Sequence, residues 1–232
     1  TKNKQDLKEI FDIDGNLENL RDSKTAFPVP WPSGQPRLQK IVSRWLAEVE
    51  HLSRNLLEAL CRALEVPPTT LNTHFVENHS SFLRFNYYPE RDDANASASE
   101  ASLEKFGIHP HTDSGALTVL AQDAVPGLQV RKDGSWHTVI PKPNSLIINI
   151  GDMMQVWSND RFTAPEHRVL ASGAQARYSA PYFYNPSYDT LCLPLASPPH
   201  YEPILWSEYR SGRAAGDYAD LGEEIQIAKY RI

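Results

Sequence analysis

A histidine and an aspartate stand two residues apart in the segment His111-Thr112-Asp113, and a second histidine, His167, follows far downstream. Two imidazoles and one carboxylate are a ligand set that can hold a non-haem Fe(II) ion on one face and leave positions open for oxygen chemistry. On a β-strand, residues i and i+2 point to the same side, so His111 and Asp113 can reach one metal ion. His167, at the start of a separate predicted strand, can complete the set from across a barrel.

Ten residues after His167 comes Arg177-Tyr178-Ser179, which places a cation and a hydroxyl at strand spacing. Such a pair is suited to gripping a carboxylate beside the metal. Each element is weak by itself, because a lone His-x-Asp is far more often a surface or hydrogen-bonding pair. Their combination in one chain favours a metal site next to a carboxylate-binding site.

Composition limits the classes of partner. Of the 232 residues, 41% are hydrophobic and 22% are charged, which is ordinary for a soluble globular protein with a sizeable core. The formal net charge of -6 argues against nucleic-acid binding, which needs concentrated Lys and Arg. The longest apolar runs fall well short of the roughly 18 residues of a membrane span. We therefore expect no nucleic-acid and no membrane partner.

The two cysteines, Cys61 and Cys192, do not indicate a disulfide framework and favour a reducing compartment. The polar start of the chain lacks the apolar segment of a signal peptide. We therefore expect a cytoplasmic protein, and a monomer.

The elements that must position the site begin with a proline-punctuated arm over residues 1–35, predicted to be irregular and packed by its aromatics Phe27 and Trp31. From Pro36 to about Leu64, apolar residues recur every three or four positions, which predicts one long amphipathic helix. The polar stretch at residues 91–106 predicts a surface loop, with a lid as the less favoured alternative.

After the helix the apolar period switches to two. Over Phe82–Tyr88, this alternation puts Arg84, Asn86 and Tyr88 on one face, suited to lining a site, and Leu83, Phe85 and Tyr87 on the other. Further strands are predicted at Ala116–Gln122, Leu128–Arg131, Trp136–Ile140, Ser145–Ile150, Met154–Trp157, His167–Ala171 and Arg177–Tyr184.

Many short strands with polar turns predict a mainly β fold with flanking helices, in which a double-stranded β-helix (jelly roll) packs on the long N-terminal helix. We expect residues 1–72 to form the arm and helix, and residues 73–232 to form the jelly-roll domain. A C-terminal helical tail is predicted around Trp206–Arg213.

Several motifs occur in an order that carries a family resemblance. They are Arg84-Phe85-Asn86-Tyr87-Tyr88-Pro89, the block from His111 to Leu120, Asn149-Ile150-Gly151-Asp152, Val156-Trp157-Ser158-Asn159-Asp160, His167-Arg168-Val169 and Arg177-Tyr178-Ser179. From about residue 27 to residue 190, the chain resembles the 2-oxoglutarate- and Fe(II)-dependent dioxygenase superfamily, in its isopenicillin N synthase-like branch.

The resemblance implies His111, Asp113 and His167 as Fe(II) ligands, with no catalytic side chain beyond this metal site. It implies that Arg177 and Ser179 bind the distal carboxylate of 2-oxoglutarate.

Four further residues are site candidates. Tyr88 is implied as a third donor to the carboxylate, and Asn86 would contact either the cosubstrate or the substrate. Arg84 is either a structural ion-pair partner or the anchor of an acidic substrate. Phe183 either lines the substrate pocket or belongs to the ordinary core.

The implied activity is oxidation of a small organic metabolite by O2 with Fe(II) and the cosubstrate 2-oxoglutarate, releasing succinate and CO2; ascorbate is a candidate stimulant. Hydroxylation, desaturation and ring closure all stay open, as does the substrate. One alternative is an iron-dependent oxidase of the same fold that does not use 2-oxoglutarate. Another is a catalytically inactive jelly-roll binding protein, although the intact triad argues against it.

The chain also departs from the branch. Its members usually carry an additional N-terminal region that opens on a Pro-x-Ile-Asp strand, and we expect this chain to start after it, without any substrate contacts made there. The stretch Phe162–Glu166 replaces the plant-like Lys-Ser-x-x sequence before His167. Neither departure touches the metal ligands.

Overall fold

The computed structural model describes residues 6–15, 31–76, 79–90, 106–171, 173, 175–215 and 224–232, and its antiparallel strands form two main sheets. The first sheet has the order β1 (Glu9–Asp14), β2 (Phe82–Tyr88), β9 (Arg177–Tyr184), β4 (Leu117–Gln122) and β7 (Ile147–Ile150). The second has the order β3 (Phe106–His111), β8 (His167–Leu170), β5 (Leu128–Lys132) and β6 (Ser135–Thr138). The pair β10 (Leu191–Cys192) and β11 (Ile204–Leu205) lies apart from both.

Within the described residues, three α-helices flank the sheets: α1 (Pro36–Ala63), α2 (Asp152–Trp157) and α3 (Trp206–Ala215). Short 3-10 helices occur at Asn72–Phe75 and Ile227–Tyr230. The predicted long helix and the predicted C-terminal helix are thus both present. The predicted loop at residues 91–106 lies, apart from Phe106, outside the described residues.

The long helix α1 packs on the outer face of the first sheet. Pro36 is tolerated at its first turn because the missing N–H would have no partner there. One stripe of the helix is buried, whereas Ile41 lies off that stripe and is 54% exposed. The core that the stripe forms with the sheet includes Val42, Leu46, Val49, Leu57, Leu83, Leu117, Val119 and Tyr182. This arrangement confirms the predicted jelly-roll core packed on the N-terminal helix.

The alternation predicted for β2 is also present. Leu83 is buried in the core beneath α1, whereas Arg84, Asn86 and Tyr88 line a cavity on the opposite face of the sheet. The irregular arm was an incomplete prediction, since Glu9–Asp14 within it pairs with β2 as an edge strand. Phe27 of the arm lies outside the described residues, and Trp31 packs against the core.

The strand predicted at Met154–Trp157 is wrong, because these residues belong to helix α2. Every residue of α2 is buried, so its sequence lacks the polar face that marks a helix, and a short apolar run fits a buried strand equally well. The backbone N–H groups of Asp152 and Met153 donate to the carbonyls of Asp113 and Gly115 at 2.8 and 3.0 Å. Tertiary contacts therefore satisfy the first turn of this helix.

Gly151, immediately before α2, permits this close approach. A Cβ atom at position 151 would lie 2.4 Å from the carbonyl oxygen of Gly115 and 2.8 Å from that of Asp113. Both neighbours are backbone atoms, which cannot swing aside as a flexible side chain would. The contact between α2 and the Asp113 segment thus requires a residue without a side chain.

Strand β3 is bulged. Its register partners on β8 are Phe106↔Leu170, Ile108↔Val169 and His111↔His167, so β3 contains extra residues at two places. In a regular strand, two residues three apart face opposite sides. Ile108 and His111 nevertheless both line the cavity, because the bulge between them resets the alternation.

Candidate metal centre

A cavity of about 330 Å³ lies between the two sheets, within the size range of small-molecule sites. The first sheet lines it with polar side chains from β2 and β9 and with apolar ones such as Leu120, and the second sheet adds further apolar ones. The apolar lining includes Ile108, Leu120, Leu128, Val130 and Val169. Three potential metal ligands lie in the same cavity.

His111, Asp113 and His167 are brought together at one wall of the cavity, with their candidate ligand atoms all within 4.8 Å of one another. The Nε2 atoms of His111 and His167 lie 3.8 and 3.6 Å from Oδ1 of Asp113. Since metal–ligand bonds of about 2.1 Å let one ion join atoms up to about 4 Å apart, the three side chains fit a metal ion. Asp113 lies in the loop after β3 and not on the strand, as the spacing argument assumed.

Both imidazoles are oriented by their second nitrogen. Nδ1 of His111 is 2.8 Å from the carbonyl oxygen of His109, and Nδ1 of His167 is 3.1 Å from that of Pro165. A carbonyl oxygen can only accept, so each Nδ1 carries the proton and donates. In a neutral imidazole with this tautomer, Nε2 has a free lone pair, which is the usual arrangement of a metal-bound histidine.

The carboxylate of Asp113 is oriented in a comparable way. Its Oδ2 accepts hydrogen bonds from Thr118 Oγ1 at 2.6 Å and Asn149 Nδ2 at 2.7 Å. Oδ1 is thereby left to face the two histidines. Thr118 and Asn149 lie in the quoted motifs, but the sequence assigned them no role. Only the β4–β7 register, in which they are direct partners, shows that both face Asp113.

The electrostatics favour the protonation states that a metal needs. Burial and the neighbouring His167 lower the pKa of His111 to about 3, so its imidazole is neutral at pH 7. Burial would raise the pKa of Asp113, but the two histidines and the two hydrogen bonds outweigh it and lower that pKa overall. Asp113 is therefore ionised, the state in which a carboxylate can bind a metal.

A second cluster surrounds Arg177, whose side chain is buried with a residue exposure of only 1%. Its Nη2 donates to Gln122 Oε1 at 2.8 Å, and its guanidinium lies 5.0 Å from the centre of the Tyr88 ring. Its Nε and Nη1 have no acceptor among the described residues. Because a buried charge with unused donors is costly, the cavity is chemically matched to an anion at this point.

The remaining predicted carboxylate-binding residues lie beside Arg177. In the β2–β9 register Tyr88 pairs with Arg177 and Asn86 with Ser179, and Asn86 Nδ2 donates to Ser179 Oγ at 3.2 Å. Burial raises the pKa of Tyr88, which keeps its phenol protonated and able to donate. The structure thus brings Arg177, Ser179, Tyr88 and Asn86 together as a donor-rich patch.

Arg84 and Phe183 also line the cavity. Arg84 forms a two-pronged ion pair with Asp12, with Nε–Oδ1 and Nη2–Oδ2 distances of 2.7 Å each. Phe183 stacks on Phe82 with ring centres 4.7 Å apart. The guanidinium groups of Arg84 and Arg210 lie 5.4 and 5.7 Å from the centre of the same Phe82 ring. The sequence did not single out Arg210, since nothing in the helical tail shows that it faces the cavity.

Comparisons with known proteins agree with this geometry. A family model described as the 2OG-Fe(II) oxygenase superfamily matches residues 79–186. Gibberellin 2-beta-dioxygenase 5 of Oryza sativa subsp. japonica is 34% identical over 209 residues, which are 87% of this chain and 59% of that protein.

Two solved structures are also similar. The structure of JOX2 in complex with 2OG, Fe and JA has 32% identity and a TM-score of 0.76, covering 89% of this chain and 60% of that one. The 2-oxoglutarate complex of dioxygenase for auxin oxidation 1 from Arabidopsis thaliana has 29% identity and a TM-score of 0.60, covering 70% of this chain and 59% of that one. The chain therefore spans about three fifths of the length of each of these three proteins.

No helix within the described ranges is long and apolar enough to cross a membrane.

Proposed function

Because the chain belongs to the 2OG-Fe(II) oxygenase superfamily, we propose that it is an Fe(II)- and 2-oxoglutarate-dependent dioxygenase of a small organic molecule. The observation that carries the proposal is one cavity with two matched features. These are a group of two histidines and an aspartate, and a buried arginine with two unused N–H donors. The first suits Fe(II), and the second suits the carboxylate of a cosubstrate.

In this proposal His111, Asp113 and His167 hold the iron. Arg177, Ser179 and Tyr88 hold the distal carboxylate of 2-oxoglutarate. When bound, Fe(II) and 2-oxoglutarate supply the oxidation with O2 and release succinate and CO2. The remaining task of this chain is to orient the bound molecules and to exclude water. The apolar side chains of the second sheet contribute to the exclusion of water.

Asn86 lies where its Oδ1, which has no partner among the described residues, could accept a hydrogen bond from either bound molecule. We assign it to the cosubstrate because its amide already contacts Ser179. Phe183 is assigned to the substrate side, since it stacks on Phe82, whose ring also lies beside the guanidinium groups of Arg84 and Arg210.

We infer further that the substrate is a small acid with an apolar body. Arg84 is neutralised by Asp12, whereas Arg210 has no carboxylate within ion-pair distance among the described residues. An arginine beside two stacked phenylalanines suits a ligand that has a carboxylate next to an apolar surface. The relatives named for gibberellin and solved with JA are consistent with a small-metabolite substrate.

The first experiment tests the reaction class. Fe(II) is added anaerobically to the pure protein, then 2-oxoglutarate, and the metal-to-ligand absorption band is recorded; succinate is then measured under oxygen with ascorbate and candidate acids. An oxidase that does not use 2-oxoglutarate would consume oxygen without forming succinate. A binding protein would take up iron and consume no oxygen. Absence of both the band and succinate would reject the proposal.

The second experiment tests the substrate class. Each acid in the panel is compared with its methyl ester, and the 2-oxoglutarate turnover that each one stimulates is measured. We expect the acids to be preferred, and Arg210→Gln to remove the preference while Arg210→Lys retains part of it. Equal stimulation by acids and esters in the unaltered protein would refute an acidic substrate.

We also propose that the protein is monomeric. We propose in addition that it is cytoplasmic, which its two buried, unpaired cysteines support. Sedimentation analysis and localisation of the full-length protein test these points. The division of the chain at residue 72 stays a prediction, to be tested by expressing residues 73–232 alone.

A further inference from the structure

The loop that carries Asp113 is held from outside the two sheets. The carbonyl oxygen of Thr112, the residue between two of the candidate ligands, accepts a hydrogen bond from Arg213 Nη2 at 2.6 Å. The carbonyl oxygen of Asp113 accepts one from the backbone N–H of Asp152 at 2.8 Å. Two consecutive carbonyls of this loop are therefore fixed by groups far along the chain.

Helix α3 supplies the first restraint directly and contacts the side chain of Asp152, the residue that supplies the second. Tyr209 and Arg213 are four residues apart on α3, so they project from the same face. Arg213 reaches Thr112 directly, whereas the Tyr209 hydroxyl donates to Asp152 Oδ2 at 2.6 Å and so acts through Asp152. All three side chains are buried.

The charges around Arg213 indicate a geometric role. Arg213 forms an ion pair with Glu224 at 2.8 Å, and both side chains are buried. Burial raises the pKa of Asp152, and the nearby positive charge of Arg213 opposes that rise. A buried ion pair is often no more stabilising than apolar residues of equal volume, but it does fix the relative positions of its members. Arg213 thus joins the carboxylate of Glu224 to the carbonyl oxygen of Thr112 at the edge of the metal centre.

We propose that Arg213 and Tyr209 are positioning residues for the metal centre, which keep the Thr112–Asp113 backbone oriented so that Asp113 Oδ1 faces both histidines. Thr118 and Asn149 fix only the other carboxylate oxygen, so the direction of Oδ1 also depends on how the Thr112–Asp113 backbone is held. Ligand positions must be held within about 0.5 Å for efficient binding, so a tilt of this backbone weakens the metal site. The inference rests on the proposed iron site.

The test compares metal binding in two variants. Tyr209→Phe removes one hydroxyl and changes no charge. Arg213→Met combined with Glu224→Gln removes the bond to Thr112 without leaving Glu224 as an unpaired charge. Dissociation constants for Co(II) and, anaerobically, for Fe(II) are measured by titration, and the d–d absorption of bound Co(II) reports the ligand geometry.

We expect the double variant to weaken metal binding by about 10–100-fold and Tyr209→Phe by about tenfold, as is typical when a partner of a metal ligand is lost. The Co(II) spectrum should change in both variants.

Arg231→Gln is the matched control. Arg231 lies in the same C-terminal segment as Glu224, residues 224–232, and fixes this segment to Asp160 and Tyr201, away from the metal loop. Its loss should lower the melting temperature and leave the Co(II) dissociation constant and spectrum unchanged.

If Tyr209→Phe and the folded double variant keep the Co(II) affinity and spectrum of the unaltered protein, the positioning role is refuted. If the double variant does not fold, Tyr209→Phe alone decides. Failure of the unaltered protein to bind either metal would reject the proposed iron site, and with it this inference. Metal binding that is normal in the unaltered protein and in both variants would reject the inference alone.

Discussion

The buried guanidinium of Arg177 gives the sharpest test of the cosubstrate site. Its Nε and Nη1 have no acceptor among the described residues, so a bound carboxylate can use both. Arg177→Met keeps a similar volume and removes the charge. Loss of even one charge-assisted hydrogen bond costs about 1.5–3 kcal/mol. The dissociation constant of 2-oxoglutarate should therefore rise by roughly 10–150-fold.

The assay is the thermal stability of the anaerobic Fe(II) protein with and without 2-oxoglutarate. At 100 times its dissociation constant, a ligand stabilises the folded state by about 2.7 kcal/mol, or about 5–10 °C in a chain of this length. At the same concentration, the weaker binding of Arg177→Met leaves only about 0.3–1.4 kcal/mol. The expected rise in melting temperature then falls to about 1–5 °C.

Arg168→Met is the matched control. Arg168 is also a buried arginine, but it donates to Gln129 and lies 4.3 Å from the centre of the Trp136 ring, outside the cavity lining. Arg168→Met should lower the melting temperature of the ligand-free protein. Addition of 2-oxoglutarate should still raise the melting temperature of this variant as much as it raises that of the unaltered protein. An equal rise in Arg177→Met and in the unaltered protein would show that Arg177 does not hold this carboxylate.

Three further predictions follow from the geometry. His111→Ala should abolish Fe(II) binding, measured by titration, while the far-ultraviolet circular dichroism stays native; retained binding would reject the ligand assignment. Gly151→Ala should lower the unfolding free energy by about 2–4 kcal/mol in urea titrations, because the new Cβ would lie 2.4 Å from a backbone oxygen. An unchanged unfolding free energy would contradict the close approach at Gly151. Asp160→Asn should lower the unfolding free energy by about 1–3 kcal/mol at pH 7. Partial burial would raise the pKa of Asp160, but hydrogen bonds from Arg231, Tyr201 and His200 outweigh it and hold that pKa well below its usual range. Because the unfolded chain takes up this proton first, near pH 3.9, the contribution is complete above that pH and is lost as the pH falls through the folded-state pKa; a cost that stays constant down to pH 2 would refute it.

The sequence predicted well those features that have a regular period. Strands β2 and β9 occur with the predicted bounds, and in β2 apolar and polar residues alternate over residues 83–86. The same alternation placed Arg84, Asn86 and Tyr88 on the cavity face. The candidate metal ligands could also be selected, since few residue types bind iron.

Features that depend on contacts between distant segments could not be predicted. Helix α2 has no polar face, and its first turn is satisfied by the Asp113 loop, which the local sequence does not reveal. Thr118 is an ordinary strand residue until the register places it against Asp113. Arg210 and Arg213 lie on a short helix whose orientation is set by tertiary packing.

The bulged strand β3 makes the candidate iron site depend on the number of residues as well as on their identity. His111 reaches His167 because of the extra residues in β3, and without the last of them Ile108 and His111 could not both face the cavity. Deletion of a single residue between them would conserve every candidate ligand. It would nevertheless turn either the imidazole of His111 or the apolar side chain of Ile108 away from the cavity. In this segment, insertions and deletions are therefore a more severe form of variation than most substitutions. Alignments of relatives should be judged here by where they place gaps.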